Sequence, residues 1–202
     1  ILVMDTSGKE IWKWSAWDVW DIKNDPLIKS FAYDRFHMNA LNFDKDSNYL
    51  VSVAIEDQIW KINAETGELM WKLGVNGDFK MDTATYFSFQ HSVNINSDGD
   101  LMLFDNSLDK KQSRALSFSL DTTTMLATNQ INALLPKSLH SSRMGSAYLL
   151  PNGNILQTSS KKGAVIITTK TGEILWELDV PFVPYRAEYV SAKLWNKYFL
   201  KE

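Results

Sequence analysis

The chain has 202 residues, enough to bury a sizeable core, with 45% hydrophobic and 22% charged residues, as in an ordinary soluble globular protein. Its net charge of −3, with no basic run or stripe, argues against nucleic acid as a partner. The absence of cysteine excludes disulfides, thiolate zinc sites and cysteine nucleophiles.

The first residues, ILVMDTSGKEIWKW, do not read as a signal peptide: they have no basic lead, and Asp5 interrupts the apolar start. The expectation is that the numbered chain starts inside a larger protein or follows a processed segment. No run of about 18 apolar residues is present, so no membrane span is expected.

Helical periodicity is weak throughout. Short strand-like runs separated by turn signals predict an all-β chain. The expected strands are Tyr49–Ala54, Gln58–Ile62, Leu69–Leu73, Leu101–Phe104, Ala115–Leu120, Asn154–Thr158, Ala164–Thr168 and Ile174–Leu178. The stretch Thr128–Ser142 reads as loop, with a short helix around Ile131–Leu135 ahead of Pro136.

Two units repeat. The first is a turn followed by Gly, an acidic residue, two apolar residues and Trp. It occurs at Thr66–Trp71, at Thr171–Trp176 and, with one extra residue, at Thr6–Trp12, and a degenerate copy covers Asp121–Leu126. The residues heading these turns, Asp5, Asn63, Asp121 and Thr169, are 58, 58 and 48 residues apart. In the second unit, HSVNINSDGDLMLF (91–104) aligns without gaps on GSAYLLPNGNILQT (145–158), and residues 37–52 align after a two-residue insertion. Its turn positions are Ser47, Gly99 and Gly153.

Two alternating hairpins with a period near 50 residues make four strands per repeat, the signature of a β-propeller. The chain then holds about three and a half four-stranded blades, with repeats at approximately 1–36, 37–90, 91–144 and 145–202; since propellers close with four to eight blades, it is expected to be the C-terminal part of a longer one. A blade cannot bury both faces alone, so blades stack. Trp12, Trp71 and Trp176, at one offset in the repeat, are expected to pack between them.

Chemistry-capable residues gather where strands enter the repeats. His37 and His91 each begin the first strand of a repeat, and both imidazoles are expected to face one axial cavity. Asn39 lies two residues after His37, on the same face of a strand. A histidine titrating near neutrality can serve as nucleophile, base or metal ligand, whereas a structural histidine bonds backbone. Arg143, before the third repeat, has the fork of donors that suits a sulfate or phosphate oxyanion, although a solvated loop charge is the alternative. His140 reads as an ordinary surface or packing residue. Asp105 is expected to pair with Arg114 and hold a loop, and Asp98, Asp100, Asn152 and Asn154 read as turn chemistry. No calcium loop, P-loop, dinucleotide turn, GxSxG elbow or HExxH occurs, so no metal or cofactor is expected.

Five phrases in order resemble the bacterial arylsulfate sulfotransferases. They are His37-x-Asn39; Phe89-Gln90-His91 followed by Leu103-Phe104-Asp105-Asn106; Ser113-Arg114-Ala115; Met144-Gly145-Ser146-Ala147 with Leu150-Pro151-Asn152-Gly153-Asn154; and Tyr185-Arg186-Ala187. The resemblance implies a six-bladed propeller, periplasmic or secreted, that moves a sulfuryl group from a phenolic sulfate ester to an acceptor phenol without the nucleotide sulfate donor. It further implies His91 as the nucleophile, sulfated in the intermediate, with His37 and Asn39 on the sulfuryl oxygens.

The sequence departs from the family at two points. Ala54 stands where the family places an arginine, so Arg35 or Arg143 is expected to substitute. Gly145 stands where a hydroxyl residue is frequent, and a further family histidine would lie before Ile1. The missing arginine supports an alternative reading, a non-catalytic propeller that binds a protein or glycan. A quinone-cofactor dehydrogenase propeller is disfavoured by the absence of a calcium-ligand set. The sequence leaves open whether the chain pairs as a homodimer.

Overall fold

The computed structural model describes residues 1–30 and 33–199. Its described part opens with an antiparallel hairpin of β1 (Leu2–Met4) and β2 (Glu10–Lys13). Three four-stranded antiparallel sheets follow, each a meander in chain order. The first sheet holds β3 (Met38–Phe43), β4 (Tyr49–Val53), β5 (Gln58–Ile62) and β6 (Leu69–Gly74). The second holds β7 (His91–Ile95), β8 (Leu101–Asp105), β9 (Arg114–Asp121) and β10 (Leu126–Leu134). The third holds β11 (Ser146–Leu149), β12 (Ile155–Ser159), β13 (Ala164–Thr168) and β14 (Ile174–Asp179), and one short helix, α1 (Ala192–Tyr198), ends the described chain. No described helix is long and apolar enough to cross a membrane.

The hairpin chemistry explains the repeats. Asn63 Oδ1 accepts the N–H groups of Glu65 and Thr66, both at 2.9 Å. Asp5, Asp121 and Thr169 each accept two backbone N–H groups of their own turns in the same way. Short oxygen-bearing side chains are what such turns require, so the residue types recur while the sequences drift. At the second set of turns Ser47, Gly99 and Gly153 all have φ between 66 and 86°. Ser47 therefore carries a left-handed backbone without being glycine.

The sheets stack face to face as blades of a β-propeller. Strand β8 shows how. Leu101 and Leu103 pack with Leu50, Ile59, Trp71 and Leu73 of the first sheet, whereas Met102 and Phe104 pack with Ala147, Ile155 and Ile166 of the third. Successive side chains point to opposite faces, so a strand buried on both faces reads as a continuous apolar run. The first strand of each sheet lies innermost: β3 contacts β7, and β7 contacts β11. The entry ends of these three strands therefore meet.

Two expectations need correction. The stretch from Thr128 is not loop, because β10 runs through Leu134 and pairs with β9 along its length. A bulge between Asn129 and Ile131 inserts one residue and switches the faces of the strand, so Ala127 packs with the cluster shared with the first sheet and Ile131 and Ala133 with the cluster shared with the third. The helical turn in this region is a 3-10 turn at Lys137–Leu139, after Pro136 rather than before it. The three repeat tryptophans also differ. Trp71 is 6% exposed at the interface of the first and second sheets, and Trp12 is half-buried and stacks on Tyr49 at 5.4 Å. Trp176 is 46% exposed, because no described sheet packs over the outer face of β14.

Candidate active site

The entry ends of β3, β7 and β11 enclose a cavity of about 620 Å³ lined by His37, Met38, Asn39, Phe89, His91, Arg143, Met144 and Tyr185. All four residues singled out from the sequence thus face one space. They arrive there through irregular backbone. His37, Phe89, Ser92 and Met144 have φ between 45 and 59°, a conformation that costs non-glycine residues energy and persists only where the surroundings fix it. Bulges interrupt β3 between Met38 and Ala40 and β7 between His91 and Asn94, and bulges re-aim side chains at such rims.

His91 is buried, and every polar atom of its ring is engaged. Nδ1 lies 2.8 Å from Asn106 Oδ1 and 3.1 Å from the Phe89 carbonyl, and the Met144 N–H donates to Nε2 at 3.1 Å. A backbone N–H can only donate, so Nε2 accepts and the ring proton sits on Nδ1. Burial pulls the pKa of His91 below the ordinary imidazole value. The Asn106 and Phe89 bonds oppose this, and the charges of His37 and Arg186 reinforce it. The ring is therefore neutral at pH 7, with its lone pair on the nitrogen that points to the Met144 turn.

Asn106 is the site residue that the sequence reading missed, since Asp105-Asn106 was read as loop-holding only. Its Nδ2 donates to the carbonyls of Ser141 and Met144, both at 2.8 Å, which leaves Oδ1 facing His91. The signal for it in the sequence is an Asn at a strand exit, in the phrase Leu103-Phe104-Asp105-Asn106. Asp105 does hold the loop: Arg114 Nε donates to its Oδ2 at 2.8 Å, and the guanidinium also reaches the carbonyls of Ala84 and Tyr86. His140 packs by donating from Nε2 to the Asn106 carbonyl at 3.0 Å.

His37 stacks on Phe89, with ring centroids 5.2 Å apart. Its Nδ1 bonds the carboxylate of Asp34, which can only accept, so Nε2 is the other ring nitrogen available to a ligand. Asn39 Nδ2 donates to the Gln90 carbonyl at 2.8 Å, and its buried Oδ1 has no partner among the described residues. Arg143 is exposed at the rim, and its guanidinium makes no ion pair among the described residues.

Of the two expected substitutes for the absent arginine, Arg35 is unavailable. It is buried in a bidentate pair with Asp25 and a further pair with Glu56. Ala54 is 1% exposed and lines a neighbouring hollow rather than the cavity. Gly145 is required by packing: with φ of 108°, a Cβ there would lie 2.6 Å from the Phe104 ring and 2.8 Å from the Thr158 carbonyl. The hydroxyl residue frequent at this position in the family has no room here.

Fold and site together define an all-β propeller protein with a neutral, hydrogen-bonded histidine at the mouth of its innermost strands. A family model described as Arylsulfotransferase (ASST) matches residues 3–181, and the chain belongs to that family. No curated protein matches the sequence. Among solved structures, a protein of unknown function from Bacteroides caccae superposes with a TM-score of 0.60 at 10% identity, over 94% of this chain and 57% of that one. A streptogramin B lyase gives 0.48 at 15% identity over 88% and 47%, and the virginiamycin B lyase of Staphylococcus aureus 0.47 at 14% over 88% and 47%. At these identities the Bacteroides caccae likeness bears on fold alone, and the chain spans about half the length of the structures it matches.

Proposed function

We propose that the protein of which this chain is part is a sulfotransferase that moves a sulfuryl group from a phenolic sulfate ester to an acceptor phenol, with His91 as nucleophile. The observation that carries the reading is the state of His91: a neutral imidazole whose proton is held on Nδ1 by Asn106, leaving Nε2 as the attacking atom.

In the first step the Nε2–S bond forms, the ester S–O bond breaks, and the phenolate leaves with the electron pair. The Nδ1–H of the sulfated ring keeps its bond to Asn106 Oδ1, which stabilises the positive charge on the imidazole. In the second step the acceptor oxygen attacks sulfur, the N–S bond breaks, and its electron pair returns to Nε2. The proton lost by the acceptor balances the one gained by the departing phenolate.

The Met144 N–H, which bonds Nε2 in the structure, must turn to a sulfuryl oxygen as Nε2 turns to sulfur, and so acts as an oxyanion donor. Arg143 supplies charge and hydrogen bonds on the sulfuryl group, and His37 Nε2 and Asn39, which line the same cavity, supply further hydrogen bonds. The unpartnered Oδ1 of Asn39 suits the acceptor hydroxyl. Phenols fit a wall that carries Phe89 and Tyr185. The family's extracytoplasmic location, periplasmic or secreted, fits a donor that needs no nucleotide.

A second reading rests on Ala54: a propeller without the family arginine binds a partner and catalyses nothing. Losing one oxyanion donor costs on the order of 10²–10³ in rate, so Arg143 must compensate if the enzyme reading holds.

The test is sulfuryl transfer from 4-methylumbelliferyl sulfate to phenol on the full-length protein, with His91→Ala as control. Fluorophore release that depends on the acceptor and disappears in the variant is the expected result. Release no higher than that of the folded variant, across several phenolic acceptors, overturns the enzyme reading in favour of the binding propeller.

A further inference from the structure

Phe89 touches both histidines. Its ring stacks on His37, its ring centroid lies 5.8 Å from that of His91, and its carbonyl accepts from His91 Nδ1 at 3.1 Å. It does so with a φ of 53°, so something must hold its backbone. Its N–H donates to Asp57 Oδ1 at 2.7 Å. Asp57 belongs to the loop between β4 and β5, 32 residues away, and is itself left-handed, with φ of 54°. On this segment Asp105 holds the preceding N–H, that of Ser88, at 3.0 Å, and not that of Phe89.

We infer that Asp57 is a positioning residue for the His37–His91 pair: its carboxylate grips the Phe89 N–H and, through it, the ring and carbonyl that set the two imidazoles. The catalytic consequence rests on the sulfuryl-transfer reading; the geometric one does not.

The grip is sensitive to pH. Burial pushes the Asp57 carboxyl up to about 6, against the Phe89 bond and with help from the negative charges of Asp105, Asp109 and Glu56. Of these, Asp105 is paired with Arg114 and Glu56 with Arg35, and no described cation pairs with Asp57. The segment carrying Phe89 adds no charge. A neutral carboxyl accepts more weakly than a carboxylate, so the tether loosens as pH falls through 6. For stability the sign is opposite: the folded state binds the extra proton, so this group costs stability as pH rises from the ordinary carboxylate range to about 6.

The experiment follows the Phe89 amide and the imidazole resonances of the full chain by NMR, with Asp57→Asn and Asp57→Ala. The Asn variant keeps an oxygen acceptor and removes the titration, and it guards against a poorly folded Ala variant. Expected are a Phe89 amide titration with a midpoint near 6 that vanishes in Asp57→Asn, and displaced His37 and His91 resonances in Asp57→Ala. Turnover should fall on the order of 10²-fold in Asp57→Ala, the scale of a small misplacement, and be largely kept in Asp57→Asn at pH 7. A Phe89 amide that is flat from pH 4.5 to 8, or imidazoles unmoved in Asp57→Ala, overturns the inference whatever the activity. Wild-type protein that shows the titration and the shifts yet transfers no sulfuryl group sinks the enzyme reading alone.

Discussion

Asn106 carries more of the site than its place in the sequence advertises. Three hydrogen bonds fix one side-chain amide, two through Nδ2 and one through Oδ1. Truncation to Ala strands the Met144 carbonyl, at a cost of about 1–3 kcal/mol for an unsatisfied buried group, while the Ser141 carbonyl keeps Ser113 Oγ at 3.3 Å and the His91 Nδ1–H keeps the Phe89 carbonyl at 3.1 Å. Asn106→Ala should therefore unfold at lower urea, and His91 should titrate still lower, because the lost bond was one that favoured the protonated ring. Imidazole NMR checks the direction: a His91 pKa that rises in this variant contradicts the assigned tautomer. Since the neutral ring is the nucleophile, a pKa below the usual value keeps His91 competent into mildly acidic solution, and activity lost below pH 6 would be owed first to Asp57.

At the scale of elements, the approach to β7 is held from beneath. Asp105, at the end of β8, bonds the N–H groups of Ser88 and Ser107 and the guanidinium of Arg114 at the start of β9. That pair is buried on both sides. Removing the cation alone strands a carboxylate in the interior, which costs about 3–5 kcal/mol. Arg114→Met is expected to lower stability by that amount at neutral pH, measured by chemical denaturation, and Asp105→Asn in the same background should restore part of it. A loss below about 1 kcal/mol would show that the pair is dispensable to the loop. The same segment shows what a sequence reading can reach: Asp105 with Arg114 was legible because opposite charges at adjacent strand ends pair. Asn106 was not, because its partners, Ser141 and Met144, lie 35 and 38 residues on.

For the whole molecule, stacking decides which repeats of one motif are core. Trp71 and Trp176 occupy equivalent positions, yet one is 6% and the other 46% exposed. Trp71→Ala should cost about 3–5 kcal/mol, as large-to-small changes in a packed interior do. Trp176→Ala in this same chain should cost less than about 1 kcal/mol. Equal losses in thermal or urea unfolding would mean that another surface covers β14 in solution. The corrected β10 belongs to this scale too: its polar Asn129 and Asn132 lower strand propensity, and pairing with β9 overrides it.

By itself the sequence determined the order of the hairpins and the sheet count, and all of the hairpins except the β9–β10 pair, because turn chemistry and two-residue alternation are local and repeat with each blade. It also pointed to His37, Asn39, His91 and Arg143, since strand entries recur at a readable offset. Only the tertiary structure decided that these four face one cavity, that Arg35 is spent on Asp25 and Glu56, that Asn106 bonds His91, and that Asp57 accepts the Phe89 N–H. Those facts depend on side chains brought together from different blades, and no local pattern in the chain encodes which distant atoms will be within a hydrogen bond of one another.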